Sequence, residues 1–295
     1  MNRLAFVDGD WIPEATGLLP VGTQGLHYGT AAFEGIRTYP TETGRATILF
    51  LYAHLERLLR SCSYLQIELG YSVDELARIA HELVDRNDGH TAAGYIRPVV
   101  FKTRLLPGTA FGVRLTGVGH AVAMTWTPMP RRNGAESSLW QASACVIPTQ
   151  SISAEAKLSG KYIVNALAVD EAVRNGHSDG LLCNRDGHVV EASTSNVFIV
   201  SDGVLVTPPL SDGPLPGVTR AAVLTIAAER GIPVVERSMT VDDVCAAQEV
   251  FLCGTGVEIS PVLRACGQQI GTGQVGQTTK EIIDAYEDLI ACGAG

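Results

Sequence analysis

The chain has 295 residues, 46 % hydrophobic and 18 % charged, enough apolar content to bury the core of one large or two medium domains. Its formal net charge is −9 at pH 7 and no basic stretch exceeds Arg131-Arg132, which argues against binding nucleic acid through its phosphates. Residues 1–8 lack the apolar core of a signal peptide, and no apolar run approaches the roughly 20 residues of a bilayer span. Seven scattered cysteines without a C-x-x-C pair argue for reduced thiols and against a zinc site. These features predict a cytoplasmic protein that binds neither nucleic acid nor membrane.

In chain order, residues 4–11 alternate around Asp8-Gly9-Asp10, a hairpin signal. Residues 27–39 mix aromatics, glycines and an ion-pair candidate, Glu34 with Arg37. Over 51–65, Leu51, Leu55, Leu58, Leu59, Cys62 and Leu65 recur at helical spacing, with Arg57 and Arg60 off that stripe. Ser72 and Glu75 form a capping-box signature that opens a second helix through 84. Residues 95–101 predict a strand, its Pro98 implying an edge or a bulge. A glycine-rich loop over 105–119 and a strand over 120–126 follow. Thr127-Pro128-Met129-Pro130-Arg131-Arg132-Asn133-Gly134 then reads as a linker. The expected organisation is a small N-terminal domain (1–126), the linker (127–134) and a large C-terminal domain (135–295) carrying Lys157.

The second half reads as strand-rich. An apolar helical pattern over 163–173 closes at Asn175-Gly176, and hairpin turns fall at 184–187 and 201–203. A helix over 219–230, strands over 232–236 and 249–252 around a short helix from 241, and a last helix over 279–290 complete it. Hairpin-joined strands with a few helices predict an α+β architecture.

The chain has four lysines, Lys102, Lys157, Lys161 and Lys280, so amine chemistry has few places to occur. Lys157 lies among Ser153, Ala154, Ala156, Ser159 and Gly160, small residues that leave room for a ligand. A lysine on a buried segment favours its neutral form and can form a Schiff base, whereas a surface lysine would merely lay its stem along the protein. Glu191 ends a strand after Val189-Val190 and is either a solvated edge residue or aimed at a cation. Arg57 on a helix would ordinarily face solvent, but Arg97 between Ile96 and Val99 needs an anionic partner if its side is buried. Thr219 and Thr255 stand at turns suited to an anion. Together these are the parts for holding pyridoxal phosphate. Gly271-Thr272-Gly273-Gln274-Val275-Gly276 matches the dinucleotide pattern G-x-G-x-x-G, but too few residues follow to complete the unit, so it reads as a turn. Histidine spacing supports no metal site.

The stretches HYGTAAFEGIR (27–37), YIRP (95–98), AKLSGKY (156–162), VVEASTSNVF (189–198), LPGVTR (215–220) and CGTGVEISPV (253–262) resemble, in order and spacing, the class IV aminotransferases of the branched-chain type, the two-domain pyridoxal-phosphate fold type IV. The resemblance implies pyridoxal 5′-phosphate as cofactor and Lys157 as the Schiff-base lysine, with Lys161 a bystander. It implies Glu191 at the pyridine nitrogen, Arg57, Val218, Thr219 and Thr255 at the phosphate, and Tyr162 at the ring hydroxyl. Tyr28, Phe33, Tyr95 and Arg97 would face the substrate, with Arg97 and the turn Thr255-Gly256-Val257 near its carboxylates. The implied activity is ping-pong transfer of an amino group from a branched-chain or other apolar L-amino acid to 2-oxoglutarate, in a homodimer or higher homo-oligomer. Three segments depart from the family: residues 127–131 lack its Trp and Tyr, the loop 106–117 carries Arg114, and the substrate turn reads Thr-Gly-Val. These leave open a specialised transaminase acting on a biosynthetic amino acid, a D-amino acid or an (R)-amine, or an aminodeoxychorismate-lyase-like enzyme. More remote are an NAD-dependent oxidoreductase and a cofactor-free binding protein.

Overall fold

The computed structural model describes residues 3–42, 44–104, 112–132 and 134–293. By its contacts the chain forms two compact units: Met1–Pro130 with Ala156–Lys161 and Ile290–Gly295, and Arg131–Glu155 with Tyr162–Leu289. The chain thus leaves the first unit inside the expected linker. The short segment bearing Lys157, expected with the C-terminal domain, makes its contacts in the first unit.

The first unit opens with strands β1 (Leu4–Val7) and β2 (Asp10–Pro13), the predicted hairpin, which turns through positive φ at Asp8 and Gly9. Helix α1 (Gln24–Tyr28), strands β3 (Ala31–Phe33), β4 (Ile36–Pro40) and β5 (Ala46–Ile48), helices α2 (Leu51–Tyr64) and α3 (Val73–Arg86), and strands β6 (Gly94–Lys102) and β7 (His120–Pro128) follow. The strands form a sheet in the order β2-β1-β7-β6-β4-β5, with β3 also paired to β6. Ile96 and Val100 of β6 are fully buried, so Tyr95, Arg97 and Val99 stand on the opposite face. The α3 helix has the predicted capping box, with both Ser72 and Glu75 bonds present.

Pro98 lies in an interior strand, with neighbours on both sides, rather than at an edge. The sheet accommodates it because β3 and β4 hold one register against β6 yet break at Glu34-Gly35, where Glu34 N donates to the Pro98 carbonyl at 3.0 Å. Proline has no N–H to return, so the neighbouring strand gives way there.

Glu34, at this break, is fully buried and joins the sheet to α2. Arg57 Nε donates to its Oε1 at 2.6 Å and Arg57 Nη2 to its Oε2 at 2.9 Å, while His54 Nδ1 meets Oε2 at 2.8 Å. Arg57, expected off the buried stripe, is 5 % exposed. The cause is this bidentate pairing, which compensates the burial of both charges. Arg37 donates to the carbonyls of Met129 at 2.6 Å and Pro130 at 3.1 Å.

The second unit contains β8 (Ser137–Cys145), α4 (Tyr162–Arg174), β9 (Asp179–Cys183), β10 (Val189–Ala192), β11 (Asn196–Ser201), β12 (Val204–Thr207), α5 (Val218–Glu229), β13 (Val234–Glu236), α6 (Val241–Ala246), β14 (Glu249–Gly254), β15 (Glu258–Ala265), β16 (Gln268–Gln269) and α7 (Gln277–Ala291). Its sheet runs β10-β9-β8-β15-β14-β11-β12-β13, with β16 on β15. Pairing is mixed: β8 is parallel to both β9 and β15, and β12 to β13. A parallel pair needs a crossover, and α4 and α5 supply two of them. The apolar pattern of α4 is only partly used, since Ala168 and Ala172 are buried while Ile163, Leu167 and Val173 are exposed. The Gly271–Gly276 stretch is a turn between β16 and α7, and the Glu249 carboxylate occupies the α7 N-terminus, accepting from Thr278 N, Thr279 N and Thr279 Oγ1. A protein carboxylate therefore sits where a dinucleotide phosphate would go.

Burial alone would raise the Glu34 carboxyl, but the Arg57 guanidinium and the His54 bond hold it well below the usual carboxylate range. Burial pushes His54 down, against the pull of Glu34. Both folded values lie below the unfolded ones, so both contributions are complete above the ordinary values and lost as pH falls. Urea titrations should show stability declining first below about pH 6.5 and again below about 4.3. Glu34→Gln should cost about 3 kcal/mol at pH 7, the penalty of leaving Arg57 without its buried carboxylate. A midpoint equal to wild type would show that the cluster does not hold the unit.

Candidate active site

In the first unit three of the expected side chains, Phe33, Tyr95 and Arg97, gather at strand β6. Phe33 ends β3 opposite Val99, and Tyr95 and Arg97 alternate along β6. Arg97 Nη2 donates to the Tyr95 hydroxyl at 3.0 Å, and the guanidinium carbon lies 4.7 Å from the Phe33 ring centroid and 5.1 Å from that of Tyr95. The guanidinium is thus fixed by aromatic faces and remains exposed. Tyr95 in turn depends on Gly35, because a Cβ there would lie 1.6 Å from the phenolic oxygen. Burial raises the Tyr95 phenol, with Arg97 acting against it, so the ring stays neutral and donor-competent.

Lys157 reaches the same aromatic ring, its Nζ 4.9 Å from the Phe33 centroid. Its backbone is held from two sides: Lys157 N donates to Ser61 Oγ of α2 at 3.0 Å, and its carbonyl accepts from Phe33 N at 3.2 Å. Ala156 and Leu158 on either side are buried, and Leu158 bridges to Ala32. Gly160 N donates to the Gly29 carbonyl at 3.1 Å, which sets the end of α1, with its half-exposed Tyr28, beside the turn after the lysine. The other amines are differently placed. Lys102 is buried and donates to the carbonyls of Gln66 at 3.1 Å and Val118 at 3.4 Å, and Lys161 turns back to the Ala156 carbonyl at 3.5 Å.

In the second unit Glu191 lies on β10 just after a register shift against β9. Its Oε2 accepts from Leu215 N at 3.0 Å, and Asn196 Nδ2 donates to the Leu215 carbonyl at 2.9 Å, so one residue is gripped on both sides. The chain then runs through Pro216-Gly217 into α5, whose N-cap, Gly217, makes no side-chain cap bond. Val218 and the buried Thr219 form the first turn of that helix, where N–H groups point outward toward an anion. The turn after Glu191 is braced in three ways. Ala192 N donates to the Ser195 carbonyl at 2.8 Å, Ser193 donates through Oγ and N to the buried Asp179 carboxylate, and Asn165 of α4 donates to the Ser193 carbonyl. Burial raises the Asp179 carboxyl, against these hydrogen bonds. Tyr162 begins that same α4 helix. Thr255, Gly256 and Val257 form the three-residue loop between β14 and β15. They lie close to the Glu191 turn, since a Cβ on Gly254 would stand 3.3 Å from Ser195 Oγ.

Each unit therefore carries its own part of the expected set: Tyr28, Phe33, Arg57, Tyr95, Arg97 and Lys157 in the first, and Tyr162, Glu191, Val218, Thr219, Thr255, Gly256 and Val257 in the second. Sequence reasoning missed the supports: Glu34 as partner of Arg57, and His54, Ser61, Asp179 and Asn196. His54 and Ser61 do fall on the apolar stripe of α2 with Leu51, Leu58 and Cys62, which is a readable sign of buried polar work. Of the loop 106–117, residues 106–111 lie outside the described residues, while Arg114 offers its carbonyl to Gln24 Nε2 at 3.1 Å. Among the described residues no group of histidine, cysteine or acidic side chains could hold a metal ion, and no helix is long and apolar enough to cross a membrane.

The profile of the family described as amino-transferase class IV matches residues 31–265. A branched-chain-amino-acid aminotransferase of Pseudomonas aeruginosa is 34 % identical over 295 residues, covering 98 % of this chain and 94 % of its own. The crystal structure of a branched-chain aminotransferase from Thermoproteus uzoniensis, solved with norvaline, superposes with a TM-score of 0.92 at 32 % identity and covers 99 % of this chain and 95 % of its own. The T.th. branched-chain amino acid aminotransferase, complexed with N-(5′-phosphopyridoxyl)-L-glutamate, gives 0.90 at 31 % identity, covering 99 % and 95 %. The chain belongs to the class IV aminotransferases and is a pyridoxal-phosphate-dependent aminotransferase of the branched-chain type, built on fold type IV.

Proposed function

We propose that the enzyme takes its amino group from an apolar L-amino acid, of the branched-chain class, and that Lys157 and Arg97 divide the chemistry from the recognition. Transfer between an amino acid and 2-oxoglutarate is the activity of this enzyme type. The observation that carries the residue assignment is the Phe33 ring, which has the Lys157 amine at 4.9 Å and the Arg97 guanidinium at 4.7 Å. A nucleophilic amine and a carboxylate receptor share one apolar wall.

The residues present suit the cofactor: an amine on an anchored segment, a carboxylate fixed by Leu215 N, and an α5 N-terminus without a side-chain cap. Beside the Glu191 turn there is also a buried Ser195 hydroxyl with no hydrogen-bond partner among the described residues. When bound, pyridoxal phosphate supplies an aldehyde for amine exchange and a ring that withdraws electrons from the substrate Cα. Lys157 would hold it covalently and, once displaced by the substrate amine, take the Cα proton as a neutral base. Glu191 would keep a proton on the pyridine nitrogen, its negative charge favouring the cationic ring. Val218, Thr219, Thr255 and Arg57 would take the phosphate, and Tyr162 the ring hydroxyl. Tyr28, Phe33 and Tyr95 give the substrate an apolar and aromatic surround. Arg97 would accept the distal carboxylate of glutamate or 2-oxoglutarate, and Gly256 and Val257 the carboxylate beside Cα. Norvaline in one relative and the glutamate moiety in another support both an apolar and a dicarboxylic occupant.

A second reading, a transaminase specialised for another donor, is favoured by residues 127–131, where aromatic pocket residues are missing. Here the Met129 and Pro130 carbonyls bind Arg37 and Arg131 binds Glu258 and Glu287, so the segment serves the scaffold. We further propose a cytosolic homodimer or higher homo-oligomer, supported by apolar side chains left exposed on α1 and α4, Leu26, Ile163, Leu167 and Val173.

Lys157→Ala should abolish transamination and the borohydride-reducible cofactor adduct, whereas Lys161→Ala keeps both; an adduct retained in the first variant would move the assignment to another amine. Arg97→Ala should raise KM for L-glutamate and 2-oxoglutarate by about tenfold or more, and that for L-leucine by much less, because only the dicarboxylates lose a charge-assisted bond. Equal losses on both substrate types would remove Arg97 from distal-carboxylate recognition.

A further inference from the structure

The turn assigned to the substrate carboxylate ends in an unusual residue. Thr255-Gly256-Val257 is a three-residue loop closing the β14–β15 hairpin, with Gly254 paired to Glu258. Glu258 then adopts φ +58°, the left-handed region in which such hairpins normally place glycine. A side chain there is unfavourable unless something beyond the turn compensates it.

That compensation is visible in the same unit. Glu258 is 2 % exposed, and its Oε2 accepts from Arg131 Nη2 at 3.3 Å. The same nitrogen donates to Glu287 Oε1 of α7 at 2.6 Å, so one guanidinium clamps the turn to a helix. The chain after Arg131 continues the brace: the Ala135 carbonyl accepts from Ser260 Oγ at 2.6 Å, and Ser137 Oγ lies 2.7 Å from that same hydroxyl. Burial alone would lower the Arg131 guanidinium, but the bonds to Glu287 and Glu258 outweigh it and raise it, so the clamp is permanently cationic. Arg131 also belongs to the segment that departs from the family in sequence.

We propose that Arg131 is a positioning residue for substrate binding: through Glu258 it holds the 255–257 turn in the conformation that presents the Gly256 and Val257 N–H groups to the substrate carboxylate. The inference rests on the assignment of that turn under the proposed function. It makes a distinctive demand on position 258, where glycine holds φ +58° without the steric penalty that alanine carries in the left-handed region.

The test uses the holoenzyme with L-leucine and 2-oxoglutarate, comparing wild type, Arg131→Met, Glu258→Ala, Glu258→Gly and the double variant Arg131→Met/Glu258→Gly. Arg131→Met and Glu258→Ala should each raise KM about tenfold with kcat and bound cofactor changed less than about twofold, a loss of uniform binding. Glu258→Gly should stay within about twofold of wild type, and adding Arg131→Met to it should change KM by less than about twofold again. Amide hydrogen exchange across 254–258 reads the same brace without turnover, and should quicken in Arg131→Met and Glu258→Ala but not in Glu258→Gly. Unchanged KM and exchange in Arg131→Met, or an equal effect of Arg131→Met in both backgrounds, would overturn the proposal. An inactive wild type would instead overturn the functional assignment, and the exchange comparison would still decide whether Arg131 braces the turn.

Discussion

The buried carboxylate of Glu34 is the constraint on which the first unit depends. A charge with no exposed surface must be matched in place, and Arg57 and His54, one helical turn apart on α2, match it. The match fixes α2 against the break between β3 and β4. That same break relieves the missing N–H of Pro98 and leaves Gly35 open for the Tyr95 ring. One turn further along α2, Ser61 receives the Lys157 backbone N–H. A single helix therefore carries, at His54, Arg57 and Ser61, both the compensation of a buried charge and the anchor of the Lys157 backbone.

The second unit solves a different problem with backbone turns. Glu191 accepts a hydrogen bond from the backbone N–H of Leu215, a neutral donor that fixes the direction of the carboxylate. Helix N-termini are used in opposite ways in two long helices of this unit. At α7 the Glu249 carboxylate satisfies the first turn, while at α5 the N-cap residue offers no side-chain bond. The difference separates a structural helix start from one suited to a phosphate.

Much of this was legible in the sequence where local chemistry dominates. The Asp8-Gly9 hairpin, the Ser72 capping box and the helix before Asn175-Gly176 all rest on short-range rules, and the structure has each of them. Strand β8 was not legible: Ser137 to Cys145 mixes small and polar residues with a single tryptophan, and its identity comes from parallel neighbours distant in sequence. Pro98 signalled an edge or a bulge, and what the structure has is an interior strand whose neighbour is interrupted at Glu34-Gly35. Arg57 misled because periodicity cannot anticipate a buried partner 23 residues away. The candidate site residues come from motifs, whereas the residues packed beside them, Glu34, Asp179 and Glu258, are buried carboxylates whose partners only tertiary structure supplies.

Transfer of amino groups through a covalently held cofactor can be read in the visible spectrum of the protein loaded with pyridoxal phosphate, taken before and after L-glutamate and then with L-leucine or L-valine. The expected result is a yellow band in the loaded protein that is lost with L-glutamate as the cofactor takes up the amino group, and lost likewise with the branched-chain donors. A protein that stays colourless after incubation with pyridoxal phosphate, or a yellow one that none of these amino acids bleaches, would contradict it.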